Sequence, residues 1–367
     1  MKNLAWPALA AIACLTLFAL AAYAADPVEV YPGTPQTPGA NLEPSEYYFT
    51  PLKENAYGEG WFFMARFDDG TFFFCNYFIT NIGLGGIKAD VDATINFPDG
   101  TNAMDRGEFK SGSLEAAKDK FLVKIGDSSV SGAYPDFTLH IKMKNVSVDL
   151  NYHAELPGWK PNSGNVFFGQ EKKKFYKYRA IITRAKVTGT IKAGAREEKV
   201  TGYGYSDHGT VNLYPQQYAS VWYSLRSFDP HWTVEYLEFT TPEKYGSTRV
   251  PVILIGKDGR ILYAGTDFTL TKEDVVSDPK SKFSYPRKLT FAVDQPGIKV
   301  KGVVKVGSLI ESIDLLSKLS AIERLVASFF AKSFIFRHRD TVEAVITTPE
   351  GEQSVNLQGV NEVLYVH

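Results

Sequence analysis

Ile87 to Phe97 alternates without a break. Ile87, Ala89, Val91, Ala93, Ile95 and Phe97 fall on one side, and Lys88, Asp90, Asp92, Thr94 and Asn96 on the other. Residues two apart share a face only in an extended strand, so this segment buries one face of a sheet. The same period recurs. Phe137, Leu139, Ile141 and Met143 alternate with polar residues, as do Val187, Gly189 and Ile191, and then Ile298, Val300, Gly302, Val304 and Val306. Turn sequences separate such runs at Asp68-Asp69-Gly70, Pro98-Asp99-Gly100, Lys257-Asp258-Gly259 and Pro349-Glu350-Gly351. After Met143 the apolar parity switches to Val146, Val148, Leu150 and Tyr152. That switch predicts a bulge near Lys144-Asn145, since one extra residue flips every later side chain. The 25 Phe and 20 Tyr favour strands as well. An all-β chain of barrels or sandwiches follows, and the absence of a visible short repeat argues against a propeller or solenoid.

A length of 367 residues suits about two domains. The expected boundary lies near Gly194, where IKAGAREEKV turns polar. It separates an N-terminal domain over 46–194 from a C-terminal one over 195–367. One segment breaks the strand pattern. Between 308 and 332, Leu309, Ile313, Leu316, Leu319, Ile322, Leu325, Val326, Phe329 and Phe330 have helical spacing, and Ser308 with Glu311 and Ser320 with Glu323 form capping-box patterns. Two short helices are expected there. Packing across a barrel face is the favoured role, because their polar face mixes signs; a lid or a peripheral membrane contact is the alternative.

The first 24 residues read as an export signal. Lys2 is the positive end, Leu4 to Ala21 is apolar, and Ala22-Tyr23-Ala24 is a cleavage site. Residues 25–45 are rich in proline and read as a linker. Acylation at Cys14 is disfavoured, since Ala11-Ile12-Ala13-Cys14 lacks the usual leucine and more apolar residues follow. Cleavage leaves Cys75 alone, so no internal disulfide is expected, and FFFCNYF suggests a buried small residue. Net charge is −1 and the basic residues are scattered, which argues against nucleic acid as a partner.

The stretch from Val200 to Arg249 concentrates polar groups among aromatic rings, which suits a concave site for an apolar ligand with a few oriented polar contacts. By composition alone an ordinary aromatic β-core with one polar cluster is the favoured reading. Asp207-His208 is the best acid/base pair, but neighbours in a strand face opposite ways. They act together only if Ser206 to Gly209 bends, and Gly202, Gly204 and Gly209 would permit that. The six histidines have no spacing typical of zinc ligands, so neither metal nor cofactor is expected. No G-x-S-x-G elbow is present. Gly83-Leu84-Gly85-Gly86 leads into a strand, not a helix that could hold phosphate. Asn145-Val146-Ser147 fits a glycosylation sequon.

LEFTTPEKYGSTRVPVILIGKDGRILYAGTDF resembles the C-terminal domain of the survival-factor-one family. NYFITNIGLGGIKADVDATINF and NVFFGQ resemble its first domain. The resemblance covers most of the chain after Pro51. It implies two lipocalin-like β-barrel domains and the handling of apolar ligands, sphingolipid and ceramide among them. The wider group includes carotenoid hydratases and tocopherol cyclases, whose hydratase-like members carry a Gly-Tyr-His-Asp-His-Asn-Trp motif. Here Gly204 to Thr210 matches it at Asp207 and His208 but lacks the first histidine and the Asn-Trp. Trp222 and Arg226 resemble the group's following Trp and Arg.

The expected ligand-binding residues are therefore Tyr205, Trp222, Arg226, Tyr236, Glu238 and Tyr245. Trp222 and Arg226 should share the strand face that meets Asp207. The expected function is binding and carriage of a long-chain apolar lipid, ceramide-like or isoprenoid, in the periplasm or envelope of a bacterium. The alternative is a hydratase- or cyclase-like enzyme with Asp207 and His208 as its catalytic pair. The mature protein should begin at Ala25. N-terminal sequencing checks this, and a retained Met1 or an acylated Cys14 would contradict it.

Overall fold

The structure is a computed structural model that describes residues 25–35, 40–54, 56–82, 86–314 and 333–366. It is almost entirely antiparallel strand, in two sheets. The first sheet has thirteen strands: β1 (Val28–Val30), β2 (Gly58–Phe67), β3 (Phe72–Thr80), β4 (Lys88–Asn96), β5 (Asn102–Lys110), β6 (Leu114–Ala116), β7 (Phe121–Ile125), β8 (Ser128–Ala133), β9 (Asp136–Lys142), β10 (Val146–Ala154), β11 (Asn165–Phe168), β12 (Lys174–Ala193) and β13 (Arg196–Val211). Its edge-to-edge order is β5-β4-β3-β2-β13-β12-β10-β9-β8-β7-β6, with β11 on β12 and β1 on β11. The two edges are joined by the short turn Ser111–Ser113, so the sheet curls into a nearly closed barrel. Trp61, Phe63, Phe73, Val91, Ile95, Leu139, Val148 and Val187 fill its interior, with Cys75 buried among them. The Tyr77 hydroxyl donates to the His140 carbonyl, tying β3 to β9 (3.0 Å).

The second sheet has nine strands: β14 (Val221–Phe228), β15 (Trp232–Thr240), β16 (Arg249–Lys257), β17 (Arg260–Gly265), β18 (Thr269–Ser277), β19 (Ser284–Gln295), β20 (Ile298–Asp314), β21 (Ser333–Thr348) and β22 (Gly351–Val366). Their order is β17-β16-β15-β14-β22-β21-β20-β19-β18. Leu225, Val234, Ile253, Phe291, Val304, Val342 and Leu357 fill this interior. All four turn sequences named above close hairpins, between β2 and β3, β4 and β5, β16 and β17, and β21 and β22. A third core lies between the barrels. Met64, Phe74, Tyr178 and Tyr205 from the first sheet's outer face meet Phe228, Leu237, Phe239, Val252 and Val360 from the second. The two lipocalin-like barrels are thus packed sheet to sheet.

Four expectations are corrected. Gly194 is not a boundary but the turn of the β12–β13 hairpin, and β13 continues the first barrel by pairing with β2. The polar run there is a solvated turn; the chain changes sheets at residues 212–220, through the one-turn helix α1 (Pro215–Tyr218). Residues 308–314 are strand, not helix. They extend β20 along β21 through two register shifts, at Val306/Leu309 and Leu309/Glu311, and cross-strand pairing there overrides the helical spacing. The rest of the expected helical segment lies outside the described residues. The proline-rich segment is not a free linker: Val28–Val30 pairs with β11, and Tyr31 and Leu42 are buried. The parity switch at Lys144-Asn145 marks a hairpin turn, not a bulge. Met143 N–H bonds the Val146 carbonyl at 2.9 Å, and Asp105 caps the turn through Asn145 and the Val146 N–H.

Arg184 of β12 links the barrels most directly. Its guanidinium donates to the carbonyls of Trp232 (2.8 Å), Asp229 (2.9 Å) and Pro230 (3.2 Å), and pairs with Glu155 at 2.8 Å. Truncation removes the partner of three carbonyls and a carboxylate, of which the Trp232 carbonyl is buried and the others partly so. Arg184→Ala should cost on the order of 3 kcal/mol in urea unfolding, with Arg184→Lys recovering little because an ammonium lacks the planar fork.

Candidate functional site

Ser206 to Thr210 runs straight. Asp207 faces Phe62 and His208 faces Trp61 across the β13–β2 ladder without a register shift. The nearby glycines serve close packing instead of a bend: a Cβ on Gly202 would lie 2.2 Å from the Arg66 carbonyl oxygen, and one on Gly204 2.5 Å from the Tyr152 ring. Asp207 and His208 therefore take opposite faces. His208 points into the first barrel, stacked on Trp61 at 4.8 Å, with Nε2 2.9 Å from Glu59 Oε1. Glu59 also accepts from the Tyr57 hydroxyl and from Thr50 N–H. That cluster is internally satisfied and structural in character. The expected joint action of Asp207 and His208 is absent from the geometry.

Asp207 points between the barrels. Its Oδ2 lies 3.4 Å from Arg226 Nη2, and the Tyr205 hydroxyl also bonds it. Tyr205 shares a 2.8 Å hydrogen bond with Tyr178. Burial lifts the Asp207 pKa, and Arg226 only partly opposes that. Arg226 lies over Tyr205 (4.8 Å) and Phe62 (5.1 Å) and donates to Ser224 Oγ at 2.7 Å. The chain continues through Glu362, which burial would raise but which Arg337 and Arg226 hold below the usual range, and then to Arg337 and Glu311. Glu235 sits directly across from Arg226 on β15. A cavity of about 10 Å³ among Tyr178, Tyr205, Arg226, Glu235 and Tyr236 has room for one water. This is a closed ionic core, too small for a lipid.

Trp222 and Tyr245 pack at the edge of the same interface. Trp222 stacks on Phe239 (4.6 Å) beside Tyr176, and Tyr245 lies against Phe168 (5.1 Å). Trp222 and Arg226 do share a face, as their spacing requires.

Tyr236 and Glu238 go elsewhere, into the second barrel. Tyr236 sits between Phe268 and Phe291 and accepts from Asn361 Nδ2 at 3.3 Å. Glu238 is held by Lys272 (2.6 Å) and Arg249. Beyond them an aromatic collar rims that end of the lumen: Phe283 with Tyr365 (4.9 Å), Phe283 with Phe334 (5.7 Å) and Tyr285 with Phe336 (4.9 Å). The middle of the tube is apolar, mainly aliphatic with Phe291 among the branched side chains. At the far end a cavity of about 190 Å³ opens among Trp232, Leu262, Ile298, Ile346 and Pro349, edged by Lys257, Arg260 and Glu350. The expected site residues thus divide among three compartments.

Sequence reasoning missed Arg337, Glu362 and Glu311, and with them His338, Asp340 and Asn361. A signal was present: FIFRHRDTV puts four consecutive titratable groups into a strand flanked by apolar residues.

Burial pushes Glu235 well above its ordinary value, with Arg226 opposing and Asp207 adding to the rise, and its Oε1 has no hydrogen-bond partner among the described residues. Near pH 4 the carboxyl is protonated in folded and unfolded chains alike. As pH climbs past 4.5 the unfolded chain ionises first, and this contribution to stability is lost progressively toward the raised folded value. Glu235→Gln should therefore melt higher than wild type near pH 8, by roughly 2 °C or more, and equally near pH 4. Calorimetry at the two pH values checks the sign.

Known proteins share this architecture. A Nitrosomonas europaea protein assigned to AttH matches with a TM-score of 0.64 at 12% identity, covering 90% of this chain and 99% of its own. The crystal structure of CghA with Sch210972 matches at 0.61 and 12% identity, over 92% of this chain and 98% of the other. Kievitone hydratase from Nectria haematococca matches at 0.56 and 11% identity, over 93% and 97%. In sequence, the ceramide-binding protein svf1 of Emericella nidulans is 26% identical over 222 residues, 58% of each chain. The ceramide-binding protein SVF1 of Yarrowia lipolytica is 22% identical over 253 residues, 63% of each. The chain thus matches less than two thirds of the length of these fungal relatives. The family model for Svf1 matches residues 36–367, and the chain belongs to the Svf1 family.

Proposed function

We propose that this protein binds a long-chain neutral lipid inside its second barrel. The observation that carries the reading is the graded lumen. It runs from an open mouth with apolar walls and a charged edge, through an apolar middle, to a polar layer under an aromatic collar. An amphipathic tube complements an amphipathic ligand. Each buried methylene contributes about 0.8 kcal/mol, so a tail of ten carbons can supply most of a micromolar affinity. The names of the fungal relatives, which bind ceramide, support a lipid of this kind. The mouth, at about 190 Å³, is smaller than the roughly 300 Å³ at which small-molecule pockets begin. It receives a chain end, and deeper entry requires Leu225, Ile253 and Phe291 to shift.

The lipid would be carried outside the cytoplasm. Support for this part comes from Lys2, the apolar run Leu4 to Ala21 and the Ala22-Tyr23-Ala24 cleavage site.

Leu262 lines the mouth and is half-buried. Leu262→Trp should fill the space without adding charge and lower the lipid recovered from purified protein by about tenfold, the equivalent of roughly 1.4 kcal/mol. Extraction and mass spectrometry provide the measurement. Wild-type protein that retains and rebinds no long-chain lipid would overturn the reading.

A further inference from the structure

The polar layer of the second barrel is more than Tyr236. His338 of β21 stands directly opposite Asn361 of β22, and Asp340 lies two residues further along the same face. All three side chains are essentially closed off from solvent. Both ring nitrogens of His338, Oδ1 of Asn361 and Oδ2 of Asp340 have no hydrogen-bond partner among the described residues. The other Asp340 oxygen accepts a long bond from Gly307 N–H, at 3.4 Å. The Tyr236 hydroxyl completes the layer, and the Tyr285 ring lies 4.6 Å above His338 at the collar.

Orphaned polar atoms in one dry layer cost stability. One layer further in, the same strands carry Val342 and Leu357, which fill the barrel without that cost. A tube required only to be full would continue with such residues. A tube required to hold a polar group would leave donors and acceptors waiting for it.

The chemistry of the layer selects the group. Tyr236 and His338 can donate, and Asn361 Oδ1 and the second His338 nitrogen can accept. Burial raises the Asp340 carboxyl well above its ordinary value, which favours its neutral form and with it an O–H donor. Burial, with Arg287 at the rim, lowers His338 to about 4, so the ring is uncharged at neutral pH. The nearby cations Lys272 and Arg249 are both engaged by Glu238. Arg287 stands at the exposed rim, outside the layer, so an anion within the layer would lose its water with no cation beside it to compensate.

Resting on the lipid-binding reading, we propose that His338, Asp340, Asn361 and Tyr236 form a head-group site for an uncharged lipid bearing an amide and hydroxyls, and that the layer rejects the phosphorylated form of the same lipid. Asn361 Oδ1 accepts the amide N–H, while His338 or Asp340 donates to the amide carbonyl.

The test uses the delipidated full chain and three fluorescent probes of equal acyl length in phosphatidylcholine vesicles: an N-acyl sphingoid base, its 1-phosphate, and a fatty-acid methyl ester as tail control. Wild type should bind the neutral amide at least about tenfold more tightly than the phosphate. His338→Phe and Asn361→Leu nearly preserve shape while removing orphaned groups. Each should lose about tenfold for the amide and keep its affinity for the methyl ester, and His338→Phe, which breaks no hydrogen bond among the described residues, should melt no lower than wild type. If the variants bind the amide as wild type does, the head-group site is wrong and the lipid reading stands. If both probes are lost together, the layer holds the lumen's shape instead of reading the head, and the proposal falls. If wild type binds none of the probes, the lipid reading falls with it.

Discussion

A strand that closes one barrel and also packs against a second has no solvent face. The central strands of both sheets are in that position, and most of what is unusual in this protein follows from it. Arg226 and Arg337 lie between the barrels, where moving an ion out of water costs several kcal/mol even after relaxation. Guanidinium suits the place better than ammonium would. It is weakly hydrated and lies flat on rings, as Arg226 does over Phe62 and Arg337 over Phe74 at 4.4 Å. Two guanidiniums face four carboxyl groups there: Asp207, Glu235, Glu311 and Glu362. Full ionisation would leave excess negative charge in a dry interface. Burial relieves that excess by driving Glu235 and Asp207 toward their neutral forms, while the two arginines hold Glu362 ionised. The charges act as a unit that fixes how the barrels meet, and it has no room for a ligand.

The lumen of the second barrel poses the opposite problem. The interface brings its polar groups together and satisfies most of them. The lumen brings His338, Asp340 and Asn361 together and leaves four of their atoms without a partner among the described residues. Each such group costs about 1–3 kcal/mol. Whole-domain stability is only about 5–15 kcal/mol, so this is a large fraction to give up for nothing. The first barrel shows that the fold does not demand it. There His208 and Glu59, equally buried, meet one another as well as Tyr57 and Thr50. Unpartnered polar atoms occur elsewhere too, at Asn96 and Glu235 for example, but four of them gathered from three residues in one lumen layer are the expected mark of function rather than of folding.

Much of the fold was legible in the sequence because alternation is a local property. Ile87 to Phe97 and Ile298 to Val306 became strands on the expected faces, and the four glycine turns closed hairpins. What failed was non-local. The spacing of Leu309 and Ile313 is helical, but cross-strand pairing of β20 with β21 holds residues 308–314 extended, and nothing in the segment announces that partner. Gly194 looked like a boundary because a solvated hairpin turn and a linker have the same composition. Val28 and Val30 looked like linker because a three-residue strand has too few residues to show a period. The site was half legible for the same reason. Tyr205, Arg226 and Asp207 were expected together and meet. Their partners Glu362 and Arg337 lie more than a hundred residues away, and only the closing of the sheet brings them in.

Strand parity explains the rest of the division. Asp207 and His208 are adjacent, yet one faces the barrel interface and the other the first lumen. Glu235 faces the interface and Tyr236 the second lumen. Arg337 and His338 divide in the same way, as do Glu362 and Asn361. Four neighbouring pairs thus supply two chemistries. In the second barrel the interface member is acidic or basic and ion-paired or charge-compensated, and the lumen member is a neutral hydrogen-bonding group. A motif read along the chain merges these compartments and suggests a single polar centre. A motif read at every second residue separates them. The group that faces the second lumen, Tyr236, His338, Asp340 and Asn361, then stands out as polar residues at inward positions of strands that are otherwise Val, Leu and Ile. In a doubly buried strand the functional signal is a polar residue on the parity of the core.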